Sequence, residues 1–314
     1  LLEVRIVDLK PKPSGNPLYP GKTFGSNASA WWGFQYKNLS QAPNPREVVT
    51  IYEIDATGQR SWAQAVYNFR WTEQTTPDGK QHSTIDYPGI IVDHDKVEEN
   101  MEALKGVRVP LRLHIGAMGL APKEADIVNS IPPGYFGGNL DDRNVGIGTM
   151  MYYPVSVPGA LFSAGDAHTA QGDSELNGTA IETSLVGTFQ FVLHKKADLA
   201  GTILEGVNYP LLETPDAWIV HGFTFPNYLE ALGPEAQTKI FQMSSLDPAL
   251  KDCSTKLRDF LMNGMNLTED EAYSLITVGS DFAITQVVDG NWGVHGIIPK
   301  IIFENREVKS KPTA

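Results

Sequence analysis

Cysteine is almost absent from the chain, with Cys253 the single example among 314 residues. One thiol cannot form an internal disulfide and cannot supply the several thiolates of a cysteine-rich zinc module. Cys253 shares a helical spacing with Leu250, Leu257, Phe260 and Leu261, which predicts a core residue of a helix and not a nucleophile. The composition favours the reducing cytoplasm as the compartment.

Positive charge and long apolar runs are also scarce. The 25 Lys and Arg residues are scattered and outnumbered by 37 Asp and Glu residues, giving a formal net charge of -12. Because phosphate backbones and acidic membranes are bound by clustered cations, this pattern argues against both as partners. No apolar run approaches the roughly 20 residues of a membrane-spanning helix.

The sequence does not begin with methionine and shows no signal-peptide pattern. Leu2, Val4 and Ile6 alternate with polar residues, so the chain starts inside a predicted strand. We therefore expect a truncated or processed polypeptide, with an N-terminal segment that is lost or held as a separate piece. Site residues on such a segment would not be visible here.

Alternating apolar residues predict a fold that is mainly β, with strands near residues 48–54, 63–71, 106–118 and 181–193. Helical signals come after residue 200. Asp247 and Pro248 predict a helix start, Gly264 predicts its end, and Thr268 with Glu271 forms a capping box. We expect a β-rich core over residues 1–200 and an α+β portion over residues 201–314 that completes the core and the site.

The stretch from Gly165 to Glu182 is the most reactive part of the sequence. Five side chains within ten residues can bind a metal, move a proton or hold a carbonyl group: Asp166, His168, Gln171, Asp173 and Glu175. Strand-like sequence lies on both sides, and a polar loop between strands is where scaffolds present reactive groups. The structural alternative is an acidic, solvated turn.

This stretch reads Gly-Asp-Ala-His-Thr-Ala-Gln-Gly-Asp-Ser-Glu and resembles the signature of the acetamidase/formamidase family. The segments Gly137–Asp141 and Val287–Lys300 resemble two further markers of that family, in the same order along the chain. Ser174 departs from the pattern, since glycine is expected there. The resemblance implies a β-sandwich or barrel-like core, a homo-oligomer, and a hydrolase that releases ammonia from small carboxamides.

Two arrangements could activate water for amide hydrolysis. In the first, Asp166 and His168 are two residues apart and face the same side of an extended segment, and Asp141 completes a set of three ligands. Mixed nitrogen and oxygen ligands favour zinc, and Glu175 is then the general base. In the second, without metal, Glu175 activates water with Asp173 or Lys300 nearby, and His168 orients the substrate.

Further residues are candidates for substrate binding. Asn139 and Gln171 could bind the substrate carbonyl, although Asn139 also suits a turn. Trp32 could wall a pocket or enter the core. His221 and the pair Asp289 and His295 are weaker candidates, predicted in exposed turns or at a strand end.

The sequence supports an amidohydrolase acting on the formamide or acetamide class. A γ-lactam hydrolase is the alternative, because the aromatic segment Trp31–Phe34 could line a site for a larger or cyclic amide. A catalytically silent, β-rich oligomeric binding protein is the alternative from a different class.

Overall fold

The computed structural model describes residues 1–30, 33–39, 47–57, 61–72, 74–75, 79–82 and 96–312. Within these ranges, no helix is long and apolar enough to cross a membrane. Trp31 and Trp32 lie outside the described residues.

Most of the regular structure consists of strands. In chain order they are β1 (Leu2–Pro11), β2 (Thr23–Ala30), β3 (Glu47–Asp55), β4 (Trp62–Trp71), β5 (Gln74–Thr75), β6 (Gln81–His82), β7 (Val97–Asn100), β8 (Arg108–Pro110), β9 (His114–Gly119), β10 (Gly137–Asn139), β11 (Met150–Tyr153), β12 (Ser163–His168), β13 (Glu182–Thr183), β14 (Leu185–Leu193), β15 (Leu211–Glu213), β16 (Ala217–Phe223), β17 (Asp281–Gln286) and β18 (Gly293–Pro299).

The longer helices lie in the last third of the chain. The helices are α1 (Phe34–Asn38), α2 (Lys196–Leu199), α3 (Tyr228–Leu232), α4 (Ala236–Lys239), α5 (Leu246–Met265) and α6 (Glu269–Gly279), with 3-10 turns at Gly233–Glu235, Ile240–Gln242 and Lys300–Phe303. Antiparallel sheets followed by C-terminal helices confirm the predicted fold class.

The chain divides into two compact units. The first contains Leu1–Leu9, His114–Asp166 and Gly187–Ala314, and the second contains Lys10–Leu113 and Ala167–Val186. Each unit thus combines segments that are separate in sequence, and the expected division near residue 200 stays a prediction.

The first unit is built on a seven-stranded sheet with the order β14-β1-β11-β15-β16-β18-β17. Val4 and Ile6 of β1 are buried, as their alternation predicts. Glu3 is buried as well. Its carboxylate has a partner there, since it lies 2.7 Å from the ring nitrogen Nε2 of His194. Among the described strands, β14 pairs on one side only, with β1, and it exposes Phe191 and Leu193.

Helix α5 covers the sheet of the first unit through one apolar face. Its buried residues recur every three or four positions and include Ala249, Cys253, Leu257, Phe260, Leu261 and Met265. The Cys253 thiol donates to the carbonyl of Val220 at 3.2 Å, and burial raises its pKa to about 12. A thiol in this state is a poor nucleophile, which confirms the predicted core role.

The second unit contains an antiparallel sheet with the order β13-β2-β3-β4-β7, and β8 pairs with β4. At its β13 edge, His168 at the end of β12 pairs with Glu182. Tyr52, Ile54, Ala63, Ala170 and Ile181 form a small buried core. Ala170 and Ile181 flank residues 171–180 of the polar stretch, so this core holds both ends of that loop within the second unit.

Several predicted boundaries were wrong for packing reasons. The predicted strand over residues 106–118 is split into β8 and β9, and His114, expected on a polar face, is fully buried. Helix α5 begins after Ser245, two residues before the predicted cap, and continues through Gly264 to a left-handed Asn266. A side chain at Gly264 would meet Ile203 at 2.9 Å, so this glycine serves packing and not helix termination. The capping box of α6 is present as predicted.

We expect Gly222→Ala to destabilise the first unit, because a Cβ atom there would lie 2.3 Å from the backbone nitrogen of Cys253. Forcing β16 and α5 apart should lower the free energy of unfolding by about 1–3 kcal/mol, measured by chemical denaturation. Gly15→Ala, which meets nothing within 4 Å, is the control. Equal stabilities of the two variants would contradict this role.

Candidate functional site

His168 lies in the polar stretch at the end of β12, and its side chain is fully buried. Its Nδ1 atom lies 3.0 Å from Oε1 of Gln171, and its Nε2 atom lies 3.2 Å from Oε2 of Glu182. The antiparallel pairing of His168 with Glu182 places the two side chains next to each other. Gln171 therefore holds the imidazole on one side and Glu182 lies on the other.

These contacts restrict the protonation of His168. The Gln171 amide oxygen can only accept, so Nδ1 carries a hydrogen in this orientation. A neutral ring then presents the lone pair of Nε2 towards the Glu182 carboxylate, which is also rich in electrons. Such a pair is stable when a proton or a cation lies between the two atoms. The geometry thus suits either an imidazolium ion or a metal-binding imidazole.

Glu175 completes a cluster of possible ligands in the second unit, in which His168 and Glu175 are buried and Glu182 is partly exposed. His168, Glu175 and Glu182 each offer one ligand atom, and these atoms all lie within 4.8 Å of one another. Glu175 is buried and follows Ser174, and both residues have positive φ angles, +42° for Glu175 and +85° for Ser174. The angle at Ser174 is one that glycine adopts most easily, which gives a physical reason for glycine at this position.

The sequence analysis identified His168, Gln171 and Glu175 and did not assign a role to Glu182. The pairing register between β12 and β13 is what brings Glu182 beside His168, and alternation alone cannot supply that register. Gln171 was predicted to bind substrate, but its described contact is with the imidazole. Asp173 is half-buried in the same loop.

The other predicted ligands belong to the first unit. Asp141 is buried and Asp166 is exposed, and both have positive φ angles, +49° and +57°. Asn139 ends β10 and pairs with Ala117 of β9. The proposed ligand set of Asp141, Asp166 and His168 is therefore divided between the two units, and it stays a prediction.

Next to Asp141, the first unit contains a polar cluster of His221 and His295, which the sequence analysis named as weaker candidates, and Asp142, which it missed. Asp142 is fully buried, and its Oδ2 atom lies 2.9 Å from Nε2 of His221. Burial raises the pKa of Asp142, but the charges of His295 and His221 outweigh it and hold the pKa below its ordinary value. His221 and His295 were predicted in exposed positions, which was wrong, since both are buried on paired strands.

The third marker segment is organised by Asn291, which is also fully buried. Its amide nitrogen donates to the carbonyls of Pro133 and Phe225 at 3.0 and 2.9 Å, and its oxygen accepts from the amide of Phe225 at 3.0 Å. Asp289, two residues earlier, is buried rather than in an exposed turn as predicted. Lys300, a candidate partner of the general base, donates to Glu213 at 2.7 Å within the first unit.

Comparison with known proteins identifies the family. Residues 124–305 match the model of the Acetamidase/Formamidase family, which covers more than half of the sequence. The chain belongs to this family. The resemblance that the three marker segments indicated is thereby confirmed.

Two curated relatives give the degree of similarity. The chain is 31% identical over 195 residues to an acetamidase of Mycolicibacterium smegmatis, a match that covers 56% of this chain and 45% of the relative. It is 40% identical over 52 residues to a formamidase of Methylophilus methylotrophus, covering 17% of this chain and 13% of the relative. The matched regions thus span less than half the length of these curated relatives.

Solved structures show the same fold. An acetamidase from Bacillus halodurans matches with a TM-score of 0.64 and 21% identity, covering 98% of this chain and 76% of that one. A predicted acetamidase/formamidase from Thermoanaerobacter tengcongensis matches with a TM-score of 0.61 and 19% identity, covering 97% and 73%. At these identities the likeness concerns the fold alone.

We expect Asn291→Leu to destabilise the first unit, because it keeps the side-chain size and leaves three buried or partly buried backbone groups without this partner. The free energy of unfolding should fall by about 3 kcal/mol, measured by urea denaturation. Asn263→Leu, at an exposed position of α5, is the control and should change stability by less than about 0.5 kcal/mol. A small effect at Asn291 would contradict the assigned role.

Proposed function

We propose that this chain acts in the hydrolysis of small carboxamides to a carboxylate and ammonia by activated water. The observation that carries the proposal is the cluster formed by the buried side chains of His168 and Glu175 with the partly exposed Glu182 in the marker stretch. The acetamidase and formamidase relatives support the reaction class. The formamide and acetamide class is the substrate class that these relatives favour.

Amide hydrolysis requires activation of water, stabilisation of an oxyanion and protonation of the leaving nitrogen. We assign the first and last tasks to Glu175, which is buried next to an imidazole and can take a proton from water and deliver it to the amine. Gln171 orients the ring of His168, and the Nε2 atom of that ring lies on the side of the Glu175 and Glu182 carboxylates. Asp173 is the alternative general base. Asn139 remains a proposed hydrogen-bond donor to the substrate carbonyl.

The donor set also fits a divalent cation. One imidazole nitrogen and carboxylate oxygens within 4.8 Å are a combination that zinc binds readily. His168 would be the nitrogen ligand, Glu182 an oxygen ligand, and Asp141 and Asp166 remain ligands predicted from the sequence. Zinc, when bound, lowers the pKa of a coordinated water to about 7. Without metal, a proton between His168 and Glu182 satisfies the same geometry.

A substrate panel tests the reaction class. Ammonia release should be measured with formamide, acetamide and propionamide, and ring opening with a bicyclic γ-lactam. We expect turnover of the linear amides. Turnover of the lactam alone would favour lactam hydrolysis, and no turnover of any compound would favour a silent binding protein.

Metal analysis tests whether the protein binds a divalent cation. Elemental analysis of the purified protein should show about one tightly bound divalent ion per chain, with zinc favoured. His168→Asn should lower the metal content, because the imidazole ligand is lost. His194→Asn alters another buried histidine, paired with Glu3 in the first unit, and should not. Full activity in metal-free protein would contradict a catalytic role of the metal and would support the imidazolium form of His168.

The role of Glu175 can be tested with Glu175→Gln, which keeps the shape of the side chain and cannot accept the proton. Turnover should fall by about 10²- to 10⁴-fold, while metal content and the thermal unfolding midpoint change little. Glu102→Gln, on an exposed side chain, is the control. Near-normal turnover of Glu175→Gln, together with a loss in Asp173→Asn, would move the base to Asp173.

A further inference from the structure

The loop that follows β10 holds Asp141 in an unusual backbone conformation. Asp141 has a φ angle of +49°, a left-handed value that is unfavourable for a residue with a side chain. Its amide donates to the carbonyl of Gly116 in β9 at 3.1 Å. This bond holds the backbone of the loop at Asp141 itself. The backbone just after Asp141 is held by its neighbour.

Asp142 supplies the second restraint. Its Oδ1 atom accepts from the backbone amide of Asn144 at 2.8 Å and from the side-chain amide of Asn144 at 2.6 Å. Its Oδ2 atom lies 2.9 Å from Nε2 of His221, a residue 79 positions away in sequence. The first two bonds close a tight turn, and the third ties the turn to a strand of the main sheet.

His221 is itself held rigidly. It lies in β16, near the centre of the seven-stranded sheet, and its Nδ1 atom lies 3.1 Å from the carbonyl oxygen of Pro210. Both ring nitrogens therefore face oxygen atoms, and rotation of the ring would break both contacts. His295, the cross-strand partner of His221, packs against it with ring centroids 6.4 Å apart.

We propose that Asp142 and His221 are positioning residues that hold the Asp141 carboxylate in its working orientation. This inference rests on the proposed function, in which Asp141 is a ligand. Partners that orient a ligand act without contacting the metal, and their loss weakens metal affinity or activity by about 10- to 100-fold.

The chain offers a matched control for this proposal. Glu3 and His194 form another buried pair of a carboxylate and an imidazole in the first unit, at 2.7 Å, located on β1 and directly after β14. Each substitution to leucine removes the imidazole partner of a buried carboxylate and leaves it one other partner, Asn144 for Asp142 and Arg5 for Glu3. A purely structural role would therefore give similar results for His221→Leu and His194→Leu.

The experiment compares His221→Leu, His221→Gln and His194→Leu in the full chain. Hydrogen exchange of the amides of Asp141 and Val145 reports on the loop, since both are hydrogen-bonded in the wild-type structure. Zinc affinity and amide turnover report on the site, and thermal melts report on stability. We expect His221→Leu to exchange about tenfold faster at these amides and to lose about 10- to 100-fold in zinc affinity or turnover.

His194→Leu should lose comparable stability and keep loop exchange, zinc affinity and turnover within about twofold. His221→Gln, which retains an N–H donor towards Asp142, should recover a large part of the loss. Equal effects of His221→Leu and His194→Leu on loop exchange, or faster exchange without any change in zinc affinity and turnover, would overturn the proposal. An inactive wild-type protein would refute the proposed function alone, because loop exchange and zinc affinity still decide the positioning role.

Discussion

The pairing of carboxylates with buried imidazole rings is the interaction on which this structure depends. Glu3 lies beside His194, Asp142 beside His221, and Glu182 beside His168. A buried charge without a partner is strongly unfavourable, and each of these pairs supplies one. In the first two pairs the partners are 191 and 79 positions apart in sequence, so each of these pairs also ties together two distant parts of the chain.

Four of the eight described non-glycine residues with positive φ angles lie in two of the marker segments. Asp141, Asp166, Ser174 and Glu175 all have positive φ angles. Each is a conformation that a residue with a side chain adopts only when its surroundings enforce it. Three of these four residues, Asp141, Asp166 and Glu175, carry carboxylates, which the backbone aims in directions that a regular strand or helix does not allow. Their clustering supports a functional use of the loop over an acidic surface turn.

Local sequence signals predicted much of this chain. The alternation in β1 and the capping box of Thr268 and Glu271 depend on near neighbours and were confirmed. Glu182 and Asp142 were missed because their roles arise from pairing register and from contacts 79 residues apart. The predicted end of α5 at Gly264 was wrong, since a glycine that permits close packing has the same sequence signal as a helix cap. Trp32 lies outside the described residues.

The position of β1 has a consequence for biosynthesis. This strand lies between β14 and β11, so its partners are residues 185–193 and 150–153. At about 5–20 residues per second, a ribosome completes β11, the first of these partners to be made, roughly 7–28 s after β1. During that interval the alternating apolar face of β1 has no sheet to join. The nascent chain therefore exposes an aggregation-prone segment, which makes chaperone capacity and translation speed important for its yield.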